Sequence, residues 1–200
     1  MSFIKTTAPA DAEGDVLAMY QRQQNSWGYV PNYAKVFSGR PEVLARWARL
    51  LAELRRPMDD RRFELVTFAA AIALRNSACS LQHGKLLAEF IGEDVVRDLR
   101  RGRFAPSLTE LDTALFQFAQ KVAVDASRVT AGDVQRLKAL GLDDDEVFDV
   151  AGAAAGRAFF TKLLDGLGVE TDSAFLALDE PFRRAMTVGR PIAFEEVERL

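Results

Sequence analysis

One cysteine and one histidine stand close together in this sequence and are candidates for a shared reaction. The sequence holds a single cysteine, Cys79, and a single histidine, His83, four residues further on. On a helix, positions four apart share a face, so the thiol and the imidazole would be neighbours. An imidazole can take the proton of a thiol, and the thiolate is the nucleophilic form of cysteine. The spacing therefore indicates a reactive thiol.

Two further residues, together with the helix start itself, are candidates to support this pair. Cys79 is predicted to lie in the first turn of its helix, where free backbone N–H groups favour a thiolate, so we expect a lowered pKa. Arg75 adds positive charge if the turn before the helix brings it near. Glu64 lies in an apolar stretch of the preceding helix, and a buried carboxyl has a partner or a raised pKa. Helices joined by a short break pack as antiparallel neighbours, so we expect Glu64 to reach His83.

A purely structural interpretation of the same residues stays open. Free cysteines are often inert small residues in cores. A histidine on an apolar stripe is commonly a satisfied core residue, and Glu64 can serve as an ion-pair partner for an arginine such as Arg157. Residues 27–33 form an aromatic loop broken by Gly and Pro. This loop, with Tyr33, is a candidate pocket lining, although such loops also serve only to pack.

The segments that carry these residues are all predicted to be helices. Apolar residues recur at helical spacing and strand alternation is nearly absent, which predicts an all-α fold. A buried central helix is expected from Asp59, which can cap it, to about residue 75, and a second from 77 to 91 carries Cys79 and His83. Small residues over 151–156 predict close approach of another helix. Further helix starts are predicted at three capping pairs: Ser107 with Glu110, Thr130 with Asp133, and Asp143 with Glu146.

Composition limits the classes of protein that this chain can be. Its 200 residues, 48% hydrophobic, predict one helical domain over 1–170 and a tail over 171–200 that packs on its own or a neighbouring subunit. The net charge of −3 gives no basic surplus for nucleic acid. The longest apolar run is too short to span a membrane, the N-terminus does not look like a signal peptide, and a lone thiol fits the cytoplasm. No cofactor and no metal are expected, because metal-ligand clusters and phosphate-binding glycine loops are missing.

The spacing of the candidate residues resembles a known active-site motif. Asn76 stands twelve residues after Glu64, and Cys79 and His83 follow it. This pattern is similar to the motif of the alkylhydroperoxidase D-like (AhpD-like) superfamily, which includes the carboxymuconolactone decarboxylases. There a Glu precedes Cys-x-x-Cys and a His; Asn76 occupies the place of the first Cys. The segments 28–32 and 165–169 also resemble the uncharacterised peroxidase-related members, and the resemblance covers about residues 10 to 170.

The resemblance implies a fold and a chemistry. The fold is an all-α, AhpD-like multi-helix domain in which a buried helical pair carries the site, usually assembled as a homo-oligomer. Cys79 would reduce a hydroperoxide, with His83 and Glu64 as a proton relay and Asn76 supplying a hydrogen bond. An external thiol reductant would be needed, because the two-cysteine cycle cannot run. Two alternatives remain: an acid–base lyase or hydrolase that uses Glu64 and His83 on a small lactone, and a catalytically silent relative with a redox-sensing or assembly role.

Overall fold

The computed structural model describes residues 2–194 and 197–200, and helices dominate this part of the chain. The only strand-like pairing there is one parallel bridge between Thr171 and Ile192. The all-α prediction is therefore confirmed. None of the described helices is both long enough and apolar enough to cross a membrane. The helices are α1 (Gly14–Trp27), α2 (Asn32–Val36), α3 (Pro41–Arg55), α4 (Asp60–Ala73), α5 (Ser77–Ile91), α6 (Glu93–Arg100), α7 (Glu110–Asp125), α8 (Ala131–Ala139), α9 (Asp144–Gly166) and α10 (Glu180–Met186).

Helix α4 lies at the centre of the fold. Every residue from Phe63 to Ala71 is buried, and the helix packs against α5, α7 and α9. The Asp59 side chain caps its start by accepting a hydrogen bond from the backbone N–H of Arg62, as the sequence predicts. Arg75, just beyond its end, has a left-handed backbone with φ of 59°. This residue turns the chain from α4 into α5.

The start of α7 differs from the predicted one. Thr109, not Ser107, is the capping residue, and it forms a reciprocal capping box with Asp112. Asp112 also accepts two hydrogen bonds from Arg61 of α4, at 2.6 and 2.7 Å. This contact between distant segments holds the buried carboxylate in place, so the helix begins two residues later than local sequence suggests. The predicted capping boxes at Thr130 and Asp143 are both present.

The small residues of α9 allow α3 to approach it closely. A Cβ added to Gly152 would lie 2.7 Å from Cδ2 of Leu54, nearer than non-bonded carbons ever come. One turn further on, the indole Nε1 of Trp47 donates a hydrogen bond of 3.0 Å to the carbonyl oxygen of Gly156. The expected close helix contact is therefore confirmed, and the partner is α3. It brings Arg157 of α9 towards Cys79 of α5.

The C-terminal segment folds back over the helices. Phe175, Phe182 and Met186 are buried and belong to the main hydrophobic core. A Cβ on Gly84 of α5 would lie only 3.2 Å from the sulfur of Met186, so α10 packs tightly on the helix that carries the candidate site. Residues 195 and 196 of the predicted tail lie outside the described residues.

Candidate active site

Glu64 and His83 form a buried pair between α4 and α5. Oε2 of Glu64 lies 2.6 Å from Nδ1 of His83, and both side chains are at most 11% exposed. The structure thus has the contact that the packing of two neighbouring helices predicts. When Glu64 is ionised it accepts the Nδ1 proton, which leaves Nε2 of the imidazole as the basic nitrogen.

The surroundings of His83 favour its neutral form. Burial lowers the pKa of His83, the positive charge of Arg157 lowers it further, and together they outweigh the hydrogen bond and charge of Glu64, which raise it. A charged imidazolium loses its hydration when it is buried, so the neutral ring is preferred. A neutral imidazole held by a carboxylate is prepared to accept a proton from a neighbour.

The Cys79 thiol is more deeply buried than the sequence suggests. It is 5% exposed, and burial raises its pKa more than the charge and hydrogen bond of Arg157 lower it. The expectation of a lowered pKa is therefore wrong. The backbone N–H of Cys79 donates to Oδ1 of Asn76, at 2.9 Å. This N–H group at the helix start is therefore already hydrogen-bonded and is not free to stabilise a thiolate. Burial therefore favours a neutral thiol in the resting site.

Arg157 lies in this site, although the sequence suggested for it only a structural ion pair with Glu64. Its Nη1 lies 3.9 Å from Sγ of Cys79, and the side chain is only 5% exposed. Its guanidinium carbon lies 5.6 Å from the ring centroid of Trp47 and 5.7 Å from that of Phe160. The signal in the sequence was an arginine directly after the small residues of α9. An arginine on a closely packed helix face is seldom fully buried unless it has a partner.

These residues open onto a cavity of about 340 Å³. Cys79, His83, Glu64 and Arg157 line it, and Tyr33 contributes from α2. The Tyr33 hydroxyl donates a hydrogen bond to Oε1 of Gln23, and burial raises its pKa. The remaining walls are largely apolar, and five aromatic side chains contribute to them: Trp27, Trp47, Phe63, Phe160 and Phe175.

Asn76 and Arg75 have positions that differ from those expected. Asn76 is buried but does not line the cavity; it caps α5 by accepting from Cys79. Its hydrogen bond is therefore made to the backbone of Cys79. Arg75 does not line the cavity either, which corrects its assignment as a site residue. Its left-handed backbone directs the exposed side chain outward, where Nε donates to the carbonyl oxygen of Val188 at 3.3 Å.

A carboxyl from the C-terminal segment also reaches the cavity. Asp172 lines it and accepts a hydrogen bond of 2.7 Å from the backbone N–H of Asn32. Burial raises the pKa of Asp172 to about 6, although this hydrogen bond and the charge of Lys35 oppose the shift. Its neighbours in sequence gave no signal for this role. In the described part of the chain, no cluster of three or more His, Cys, Asp or Glu side chains is placed to hold a metal ion.

The fold has clear relatives among solved structures. No protein-family model matches the sequence, and no curated protein matches it either. An alkylhydroperoxidase AhpD core, an uncharacterized peroxidase-related protein from Ralstonia eutropha JMP134, superposes with a TM-score of 0.74 at 18% identity, over 94% of this chain and 98% of that one. An uncharacterized peroxidase-related protein from Silicibacter sp. TM1040 gives a TM-score of 0.74 at 17% identity, over 88% and 94%.

A third relative carries a different name. A Cys-to-Ala variant of the debrominase Bmp8, in complex with 2,3,4-tribromopyrrole, has a TM-score of 0.70 at 11% identity, over 87% of this chain and 94% of that one. At these identities the likeness is one of fold. The chain has the AhpD-like all-α fold, as the motif's resemblance implied.

Proposed function

We propose that this protein is a single-thiol hydroperoxide reductase. The observation that carries the proposal is the 2.6 Å contact between Glu64 and His83, one helical turn from Cys79 in the same cavity. A base, its orienting carboxylate and a nucleophile are the parts that an activated thiol needs. The peroxidase-related names of the fold relatives agree with this chemistry.

The proposed reaction begins from the neutral thiol. His83 takes the Cys79 proton at Nε2, and the positive charge of Arg157 stabilises the thiolate that forms. The thiolate attacks one oxygen of the hydroperoxide, the S–O bond forms and the O–O bond breaks. The departing alkoxide receives the proton back from His83 and leaves as an alcohol. The sulfur ends as a sulfenic acid, so two electrons have passed from sulfur to peroxide.

Return of the sulfenic acid to the thiol needs a reductant from outside. The chain has no second cysteine, and the Asn76 amide at the place of the family's first cysteine is no nucleophile. Two external thiols would restore Cys79, releasing water and their own disulfide. A supply of small thiols is a property of the reducing cytoplasm, which is the location that we propose.

Acid–base chemistry is the second candidate, and the raised pKa of Cys79 favours it. A neutral His83 oriented by Glu64 can abstract a proton from a small lactone or carboxylate substrate without the thiol. The two candidates make opposite demands on Cys79. Cys79→Ser, which replaces the sulfur by oxygen, should abolish reduction of a hydroperoxide, whereas a lyase or hydrolase reaction should survive it.

The test is turnover of an organic hydroperoxide with a panel of thiol reductants. Wild type should consume hydroperoxide, Cys79→Ser should not, and Glu64→Gln should be slowed. Glu89→Gln, an exposed glutamate on the same helix as the site, is the matched control and should retain full activity. Lactone turnover that survives Cys79→Ser would establish the second candidate. A folded wild type inactive in both assays would indicate a silent or redox-sensing relative.

We also propose that the protein assembles as a homo-oligomer. Phe148 and Phe159 of α9 are 69% and 47% exposed, and Leu50 of the adjoining helix α3 is 56% exposed. Exposed apolar side chains on two neighbouring helices are typical of an interaction surface. Light scattering at micromolar concentration should give a mass above that of one chain, and a clean monomer would contradict this.

A further inference from the structure

The cavity contains a buried positive charge that the proposed reaction uses only in part. Arg157 is 5% exposed, and its Nε is buried without a hydrogen-bond partner. Burying a guanidinium is costly unless it is paired with an anion and its N–H groups are satisfied. An unsatisfied N–H on such a group therefore points to a partner that the protein itself does not supply.

The nearby carboxylates are engaged elsewhere. Glu64 is held by His83, and Asp172 accepts from the backbone of Asn32. Arg55, the other arginine that lines the cavity, is paired with Asp60 at 2.7 Å. Within the described residues, no carboxylate lies within ion-pair distance of Arg157. Its contact to the Cys79 sulfur is to a group that is neutral at rest.

The side chains around Arg157 determine the size and polarity of the rest of the ligand. The rings of Trp47 and Phe160 are stacked, with centroids 4.1 Å apart and an interplanar angle of 10°, and both lie beside the guanidinium. They restrict its motion and leave an apolar surface next to its charge. The cavity of about 340 Å³ is at the lower end of the range that holds small organic ligands, about 300–1,000 Å³.

We propose that the cavity takes a hydroperoxide with an anionic group, a carboxylate, near its peroxide and an apolar or aromatic body, and that Arg157 binds the carboxylate. This inference rests on the proposed function for the identity of the reacting group. The guanidinium would donate to the carboxylate in a charge-assisted hydrogen bond. Nη1 of the same guanidinium is 3.9 Å from Sγ of Cys79, so carboxylate and peroxide must be separated by only a few atoms.

A different role for Arg157 gives a different pattern of results. If its function is limited to stabilising the Cys79 thiolate, then charged and neutral hydroperoxides depend on it equally. If it binds the substrate, the dependence belongs to the charged one. The ratio between an acid and its neutral counterpart therefore separates the two roles.

The first experiment measures binding and needs no turnover. Trp27 and Trp47 line the cavity, so their fluorescence reports occupancy as hydrocinnamate or its uncharged amide is titrated. A charge-assisted hydrogen bond predicts that wild type binds the acid on the order of tenfold to a hundredfold more tightly. Arg157→Met should reduce this ratio to about one, and Arg157→Lys should retain part of it. Arg128→Met, at an exposed arginine, is the control and should leave the ratio unchanged.

The second experiment uses the benzylic hydroperoxide of hydrocinnamate and its methyl ester. The acid should have the lower KM in wild type, and Arg157→Met should remove the difference. Equal binding of acid and amide by wild type, or a ratio that persists in folded Arg157→Met, would overturn the inference. Should Arg157→Met not fold, the wild-type ratio and Arg157→Lys decide it. Preferential binding of the acid without turnover would refute the reductase but support the anion site. Equal turnover of acid and ester would support the reductase but refute the anion site.

Discussion

Replacing Glu64 with glutamine tests how the buried pair controls the thiol. The amide still accepts the Nδ1 proton of His83, so packing is retained while the negative charge is lost. A hydrogen bond to a charged group contributes about 1.5–3 kcal/mol, and the contact is buried and only 2.6 Å long. If that energy supports the imidazolium formed during proton transfer, the rate of hydroperoxide reduction should fall on the order of tenfold to a hundredfold.

The pH profile gives the same substitution a sharper readout. His83 must be neutral to act as a base, so activity falls as the pH drops through its pKa. Glu64 raises that pKa, and removing its charge should therefore move the acidic limb of the profile to lower pH. Initial rates from pH 4 to 8, at saturating reductant, measure this. A limb that stays in place, or a rate equal to that of Glu89→Gln, would refute the relay.

Three further predictions concern other parts of the fold and site. Asp172→Asn should stabilise the protein at neutral pH, because burial raises the pKa of Asp172 from 3.8 to about 6, which corresponds to about 3 kcal/mol. This penalty develops as the pH rises through that window and is missing below it. Urea unfolding should therefore show a gain in stability at about pH 7 that vanishes near pH 4. Gly152→Ala forces a methyl group to 2.7 Å from Leu54 and should lower the free energy of unfolding by about 1–3 kcal/mol, whereas Gly166→Ala, with open space around it, should change it little; equal midpoints in thermal melts would contradict this. Alkylation of Cys79 by iodoacetamide should rise at higher pH than for a model thiol, because burial raises its pKa, and a rise at lower pH would restore the expectation of a thiolate.

The sequence was most informative where the relevant contacts are local. The spacing of Cys79 and His83 places them on one helix face, and the bounds of α5 agree with those predicted. Glu64 could be placed because only a short turn separates its helix from α5. In each case the geometry follows from a helical period and a capping residue, which are properties of neighbouring residues.

The features that sequence reasoning missed depend on contacts between distant segments. Arg157 is 78 residues from Cys79, and it reaches the site because Gly152 lets α9 pack against α3. Asp172 arrives through the C-terminal segment. The error on the Cys79 pKa has the same origin: the helix start favours a thiolate, but burial opposes it, and burial is a property of the assembled fold.

The most direct test of the central claim is the oxidation state of Cys79 after one equivalent of an organic hydroperoxide, without reductant. The proposal predicts one alcohol molecule per chain and a sulfenic acid at Cys79 that dimedone traps, visible by mass spectrometry. Excess hydroperoxide should add further oxygen, because the chain has no second thiol. A Cys79 that stays reduced, and reacts no faster than a free model thiol, would contradict the reductase and leave Glu64 and His83 as an acid–base pair.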